Sequence, residues 1–201
     1  MFRSSRSQGL NPVFVLIGVT VVIYLAQMFD QNYAIERAFA LVPNNWFEKP
    51  WTLVTYMFLH GSLSHVLFNM ITLYFFATFV IALVGETAFL LTYFAGGVVG
   101  GLMYILFSYF PVPFLQPSPL IPVVGASGAI FALGGLLMIM RPNARILMFF
   151  VIPMPLWVGI LVGFLLVVPF SSNIAWQAHL GGLVYGALVG WYYRRREIRR
   201  F

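Results

Sequence analysis

Long apolar runs constrain this chain more than any other feature of its sequence. Each run is close to the roughly 20 residues that a helix needs to cross the hydrocarbon core of a membrane. Hydrophobic residues make up 61% of the chain and charged residues only 8%, a balance that a water-soluble protein of 201 residues could not bury. The sequence therefore predicts an all-α, polytopic membrane protein, a single domain over 1–201. Its six predicted transmembrane helices cover 12–29, 63–84, 87–108, 123–140, 146–169 and 174–193.

The basic residues predict the orientation of these spans. With six spans, both termini lie on one side of the membrane, and every lysine and arginine except Arg37 and Lys49 then shares that side. Because positively charged loops stay in the cytoplasm, both termini are expected to be cytoplasmic. Segment 30–62 mixes charges with tryptophan, which is typical of a loop lying in the outer interface. The net charge of +6 is assigned to orientation and lipid attraction, so nucleic acid is not an expected partner.

Five prolines between residues 109 and 122 prevent regular helix before the fourth span. The helix is therefore expected to begin near Gly125 to Ser127 and to extend about 21 Å to Arg141, less than the roughly 30 Å of a hydrocarbon core. Ser127 should then lie about 10 Å below the outer surface, at a helix N-terminus facing a water-accessible cavity, with the loop 112–122 dipping into the protein. Gly125 and Gly128 would let backbone or substrate approach closely. Taken alone, the same small residues also fit simple helix packing.

Three histidines in the outer half of the predicted spans are candidate partners for Ser127. They are His60, His65 and His179. His179 could accept the serine proton and return it to a leaving amine. No carboxylate lies near it in the predicted topology, so the sequence predicts a Ser127–His179 dyad rather than a triad. His65 and Asn69 are spaced i, i+4, share one helical face, and are expected to stabilise an oxyanion together with the backbone N–H of Ser127.

The glycine spacing of the sixth span predicts its packing partner. Gly182, Gly186 and Gly190 recur every four residues on the face that carries His179, which would allow close approach to the fourth span. A metal site is not expected, because His60 and His65 are spaced i, i+5 and would point about 140° apart on a helix, and no acidic residue or cysteine completes a ligand set. No cofactor is predicted. A paired-aspartate protease is excluded because the chain contains a single aspartate.

Three motifs, in this order along the chain, resemble those of the rhomboid intramembrane serine proteases in their compact six-helix prokaryotic form. They are H-x4-H-x3-N (His60, His65, Asn69), G-x-S-G (Gly125, Ser127, Gly128) and A-H-x2-G-x3-G (Ala178, His179, Gly182, Gly186). The resemblance implies a serine endopeptidase with Ser127 as nucleophile and His179 as general base. It implies an oxyanion site at His65, Asn69 and the Ser127 amide, with His60 supporting the neighbouring loop.

The resemblance also implies the substrates and the membrane. It indicates single-span transmembrane substrates, a prokaryotic plasma membrane, and an active site that opens to the outer side. Substrate entry would involve the fifth helix and the loop 170–176, where Ile174 or Trp176 is a candidate cap of the cavity. Two positions depart from the family pattern: Phe131 stands where many members have a tyrosine packed on the catalytic histidine, and Thr52 stands where many have an arginine after Trp51.

Two other classes of function are alternatives to the protease. A catalytically inactive rhomboid-like protein that binds membrane helices would not need the serine, the two histidines and the asparagine of the motifs together. A small transporter or channel would need polar residues in the inner half of the membrane as well, where Thr72, Thr78 and Glu86 form no continuous line. The predicted function is therefore intramembrane proteolysis.

Overall fold

The computed structural model describes residues 11–110, 118–148, 151–167 and 175–198, and within these ranges the chain is mostly helical. Three of its helices are long and apolar enough to cross a membrane, and two more are apolar but shorter. In chain order the elements are α1 (Pro12–Phe29), α2 (Ala34–Phe39), α3 (Thr52–Thr55), a 3-10 turn (Tyr56–Phe58), α4 (Leu63–Val84), α5 (Glu86–Ser108), α6 (Ser127–Met140), β1 (Arg145–Met148), β2 (Ile152–Pro155), α7 (Leu156–Val167) and α8 (Trp176–Ile198). The three long apolar helices are α1, α4 and α5.

The region predicted as the fifth span, 146–169, does not begin as a helix. β1 and β2 pair as an antiparallel hairpin, and α7 starts only at Leu156. Pro153 and Pro155 give the physical reason, because a proline inside a helix removes a hydrogen-bond donor and clashes with the preceding turn. A two-stranded ribbon tolerates them, since both of its strands are edges. The prediction of a helix from residue 146 is wrong, and the mostly helical fold includes this hairpin.

Segment 30–62, predicted to be a loop, folds into two short helices and a 3-10 turn. Asp30 stabilises the start of the first of these helices, because its Oδ2 accepts a hydrogen bond from the Ile35 N–H at 2.6 Å in the first turn of α2. A helix leaves its last carbonyls without partners inside the helix. In α2, side chains from later in the segment satisfy them: Lys49 Nζ donates to Arg37 O, Trp51 Nε1 to Ala38 O and Thr55 Oγ1 to Phe39 O.

Helix α6 lies at the centre of the protein and is buried over most of its length. It begins at Ser127, inside the range 125–127 that the prolines indicate, and its 14 residues make it the short helix that the sequence predicts. Its main neighbour is α8, whose glycines contact the backbone of α6 directly. A Cβ would overlap the carbonyl of Gly128 if added at Gly182, that of Ala132 at Gly186, and that of Leu136 at Gly190.

An ion pair joins the C-terminal ends of the same two helices. Arg141, which follows α6, donates hydrogen bonds to both carboxylate oxygens of Glu197 in α8, at 2.9 and 2.6 Å. These bonds raise the pKa of Arg141 and lower the pKa of Glu197. The pair is therefore complete above the pKa of the carboxyl and is lost as the pH falls through it. Because both side chains are about two-fifths exposed, the ion pair contributes little to stability.

We expect Gly186→Ala to destabilise the protein, because the added methyl group would push the backbones of α6 and α8 apart. Overpacking of this kind costs about 1–3 kcal/mol. Gly18→Ala is the matched control, since Gly18 is exposed on α1 and a Cβ added there would have no neighbour within 4 Å. Thermal unfolding in detergent should show a lower melting temperature for Gly186→Ala alone. Equal melting temperatures for the two variants would contradict the close contact.

Candidate active site

Ser127 and His179 meet where α6 and α8 begin. The Ser127 Oγ lies 2.6 Å from His179 Nε2, and the histidine side chain is buried. If the hydroxyl donates to Nε2, the imidazole proton belongs on Nδ1, a tautomer assigned from this contact. The Nδ1 atom is buried and has no hydrogen-bond partner among the described residues. Among the described residues, Ser127 and His179 therefore form a pair without a carboxylate that orients the histidine.

The aromatic ring of Phe131 holds the histidine from one side. Phe131 lies one turn after Ser127 on α6, and its ring stacks on the His179 imidazole with centroids 4.6 Å apart and planes 26° from parallel. The phenylalanine thus makes the stacking contact that the resemblance assigns to a tyrosine, without its hydroxyl. Such stacking limits rotation of the imidazole about its Cβ–Cγ bond, which keeps Nε2 towards the serine.

His65 approaches the serine through Gly125. The backbone of Gly125 has a φ of +125°, which side-chain-bearing residues rarely adopt, and a Cβ there would lie 2.8 Å from two atoms of the His65 ring. The same Cβ position is 3.8 Å from Ser127 Oγ, so the imidazole of His65 borders the serine. Asn69 is buried one turn further along α4. Neither side chain makes a hydrogen bond to another described residue, so both retain free donors there.

His60 binds the backbone just before the serine and, among the described hydrogen bonds, makes none to Ser127 itself. It precedes α4, which starts at Leu63, so the 140° separation expected for a shared helix does not apply. The His60 and His65 rings meet edge to face at 4.8 Å. His60 Nε2 accepts a long hydrogen bond, 3.5 Å, from the Ala126 N–H. Burial, and then the neighbouring His65, lower the pKa of His60 to about 3, so it acts as a neutral acceptor. No three histidine or acidic side chains in the described ranges converge as a metal site.

Two sets of hydrogen bonds hold the loop just before Ser127, and the motifs give no indication of either. Leu41 and Val123 exchange backbone hydrogen bonds of 3.2 and 2.8 Å as an isolated antiparallel bridge. The Gly125 N–H donates to Tyr56 O at 2.9 Å, and the buried Tyr56 hydroxyl donates to Gly97 O at 2.7 Å. Sequence reasoning missed both, because a backbone pair between distant segments leaves no pattern in a single sequence. Residues 41 and 56 therefore hold the loop that presents Ser127.

Two expectations for the loops around the site have a different outcome. The sequence predicts that the loop 112–122 dips into the protein, but Leu120 is 69% and Ile121 47% exposed, so the prediction is wrong for its described part, 118–122. The chain returns to the interior only at Val123, where pairing with Leu41 satisfies its backbone. Of the two candidate caps, Trp176 packs against Phe107 of α5, with ring centroids 5.7 Å apart. Ile174 and the remainder of the predicted loop, 112–117, lie outside the described residues.

We expect Phe131→Ala to slow the reaction of Ser127 with a fluorophosphonate, because the imidazole would lose the ring that restrains it. Misplacing a catalytic group by about 1 Å costs up to about 100-fold. Phe131→Tyr keeps the ring and should react at close to the rate of the unmodified protein. The labelling rate in detergent distinguishes the two variants, and an equal loss in both would show that shape at this position, rather than stacking, controls the histidine.

Comparison with known proteins places these motifs in a family. The model of the Rhomboid domain family matches residues 48–196. RHOMBOID-like protein 12, mitochondrial, of Arabidopsis thaliana is 30% identical over 96% of this chain and 62% of its own length. Rhomboid protein 1, mitochondrial, of Saccharomyces cerevisiae is 27% identical over 95% of this chain and 56% of its own. The putative rhomboid protease YdcA of Bacillus subtilis is 31% identical over 75% of this chain and 71% of its own.

The match to the family model extends well beyond the three motifs. It covers most of the described chain, from the end of the segment after α2 to the last turns of α8. The chain spans about three-fifths of the length of the two mitochondrial relatives. With its apolar spans, it is an integral membrane protein with a polytopic fold. The resemblance in the sequence is confirmed: the chain belongs to the rhomboid family.

Proposed function

We propose that this chain is an intramembrane serine endopeptidase that cleaves transmembrane segments of other membrane proteins with a Ser127–His179 dyad. The observation that carries the proposal is the 2.6 Å contact between Ser127 Oγ and His179 Nε2. A serine hydroxyl is a weak nucleophile until a base takes its proton, and a neutral imidazole within hydrogen-bond distance is such a base. Membership of a family whose relatives include named proteases supports the same reading.

The proposed reaction proceeds in two steps. Ser127 Oγ attacks the scissile carbonyl carbon as its proton passes to His179 Nε2, and the tetrahedral intermediate collapses when the imidazolium returns that proton to the leaving amine. The result is an ester that joins the amino-terminal part of the substrate to Ser127, and a free carboxy-terminal fragment with a new amino group. Water then attacks the ester, again giving its proton to His179, and the serine hydroxyl is restored with release of the carboxylic acid. Phe131 keeps the imidazole in place through both steps.

Three donors are available for the oxyanion of the intermediate. The N–H of Ser127 is one of the first four in α6, which have no partner inside the helix. His65 and Asn69 add side-chain N–H groups from α4, and the absence of a side chain at Gly125 leaves space between His65 and the serine. Donors that are already in place where charge develops stabilise the transition state without having to reorganise. Gly128, Gly182 and Gly186 act at a distance, by permitting the helix contact that brings the dyad together.

The membrane arrangement follows from the sequence. We propose that both termini are cytoplasmic, that the site opens to the outer side, and that the substrates are single-span transmembrane proteins. The named relatives include mitochondrial and bacterial proteins, and a prokaryotic plasma membrane is the location that the sequence predicts. Ser127 begins a helix of only 14 residues, about 21 Å long, which supports a position below the surface of a membrane whose hydrocarbon core is about 30 Å thick.

Labelling with a fluorophosphonate tests the dyad directly. Ser127→Ala should abolish labelling and cleavage, and His179→Ala should lower kcat by at least about 1,000-fold, since catalytic groups that act as a unit fail together. Ser118→Ala, which removes a partly buried serine of the loop before α6, is the matched control and should label normally. Each variant should keep the melting temperature of the unmodified protein to within a few degrees.

Several results would reject the protease. Labelling that survives Ser127→Ala would show that the reactive group is another residue. Cleavage that persists in His179→Ala would show that His179 is not the general base. Failure of the unmodified protein to label, with the fold intact, would favour the non-catalytic binder of membrane helices.

Removing one oxyanion donor should slow the chemical step. We expect Asn69→Ala to lower kcat by about 100- to 1,000-fold with little change in KM, because the donor acts mainly in the transition state. Asn44→Ala, at an exposed asparagine of segment 30–62, is the control and should leave both constants unchanged. Cleavage of a single-span substrate in proteoliposomes provides the measurement. A rise in KM alone would instead assign Asn69 to substrate binding.

A further inference from the structure

A polar cluster outside the motifs connects α1 to the loop before α4. Gln27 lies in the last turn of the apolar helix α1, and its side chain reaches across to residues 36 and 60. Its Oε1 accepts a hydrogen bond from the backbone N–H of His60 at 3.0 Å. Its Nε2 donates to Glu36 Oε1 at 2.7 Å and, at 3.4 Å, to the carbonyl of His60. A single side chain thus binds both backbone groups of His60.

The charge of Glu36 determines how the amide of Gln27 is oriented. An ionised carboxylate can only accept hydrogen bonds, so the Gln27 atom that faces it must be the NH2 group, and the oxygen is left to accept from His60. The second oxygen of Glu36 is buried and has no partner among the described residues. The hydrogen bond from Gln27 is therefore the one that this carboxylate receives from the part of the chain that the structure describes.

The position of Glu36 depends in turn on Asp30. The Asp30 side chain accepts from the Ile35 N–H at 2.6 Å, and its backbone N–H donates to the carbonyl of Gln27 at 3.2 Å. These two bonds attach the first turn of α2 to the last turn of α1. Glu36, one residue after Ile35, is therefore presented to Gln27 by local structure.

The cluster is connected to the proposed active site through His60. The ring of His60 accepts from the Ala126 N–H, one residue before Ser127, and the rings of His60 and His65 meet edge to face. A shift of the His60 backbone would therefore move one candidate oxyanion donor and the start of α6 at once. We propose that Gln27 and Glu36 are positioning residues for the active site, setting the place of His60 and through it the geometry of Ser127 and His65. This inference rests on the proposed serine protease function.

Gln27→Glu tests the orientation of the amide. The introduced carboxyl would face Glu36 at the distance of a hydrogen bond, and two carboxyls sharing a site raise the pKa of the pair. When the pair holds one proton, that proton can replace the amide donor and the cluster can form. When the proton is lost at higher pH, the two charges repel. The variant should therefore label with fluorophosphonate at low pH and lose about 10- to 100-fold in rate as the pH rises, relative to the unmodified protein.

A reversal of donor and acceptor provides the rescue. In Gln27→Glu combined with Glu36→Gln, the introduced amide can donate to the introduced carboxylate, which still accepts from the His60 N–H. The net charge of the chain is unchanged. Labelling and kcat should recover most of the loss across the pH range, because the bond between positions 27 and 36 is restored with its polarity reversed and only the long 3.4 Å bond to the His60 carbonyl is missing. A structural role without polarity would show no such recovery.

Gln31→Glu is the matched control, since it places the same charge on an exposed residue just after the end of α1, and its pH profile should follow that of the unmodified protein. The inference is overturned if Gln27→Glu keeps the unmodified profile, or if the double variant is as impaired as the single one. If Gln27→Glu alone does not fold, the labelling rate of the double variant still tests the inference. Failure of the unmodified protein to label would instead reject the proposed protease, and the melting temperatures of the variants would then report on the cluster alone.

Discussion

The close contact between α6 and α8 is the constraint on which the rest of the protein depends. Ser127 and His179 are 52 residues apart and lie on different helices, yet their side-chain atoms must stay within hydrogen-bond distance. That distance tolerates changes of only a few tenths of an ångström. Gly182 and Gly186 allow it because a Cβ at either position would overlap a backbone carbonyl of α6 and force the two helices apart.

The second constraint comes from backbone that is not helical. A polypeptide in a membrane must satisfy its N–H and C=O groups within the protein, so irregular segments require specific partners. Val123 and Gly125, just before the serine, obtain theirs from Leu41 and from the carbonyl of Tyr56. The segment after α1 thus does more than connect two spans, because it supplies the bonds that hold the start of α6. The candidate site and the segment 30–62 are therefore joined by hydrogen bonds into one unit.

Much of this architecture follows from local patterns. The helices over Pro12–Phe29 and Leu63–Val84 coincide with the apolar runs, and α5 begins one residue earlier than its run. The short α6 follows from five prolines and a fixed rise per residue. Apolar character does not predict the structure of 146–155, where Pro153 and Pro155 favour a hairpin over a helix. Local patterns also do not predict the structure of 30–62, whose short helices depend on bonds from Lys49, Trp51 and Thr55 to carbonyls more than ten residues away.

By itself, the sequence determined that the chain is a membrane protein, and it indicated candidate residues for a site. Both follow from composition and from spacing along a helix, which are local properties of the chain. Only the tertiary structure decided which distant groups meet: the stacked rings of Phe131 and His179, the backbone bridge from Leu41 to Val123, and the link from Gln27 and Glu36 to His60. The physical reason is that a hydrogen bond or ring contact depends on the distance between segments far apart in the chain. That distance is set by the packing of whole helices.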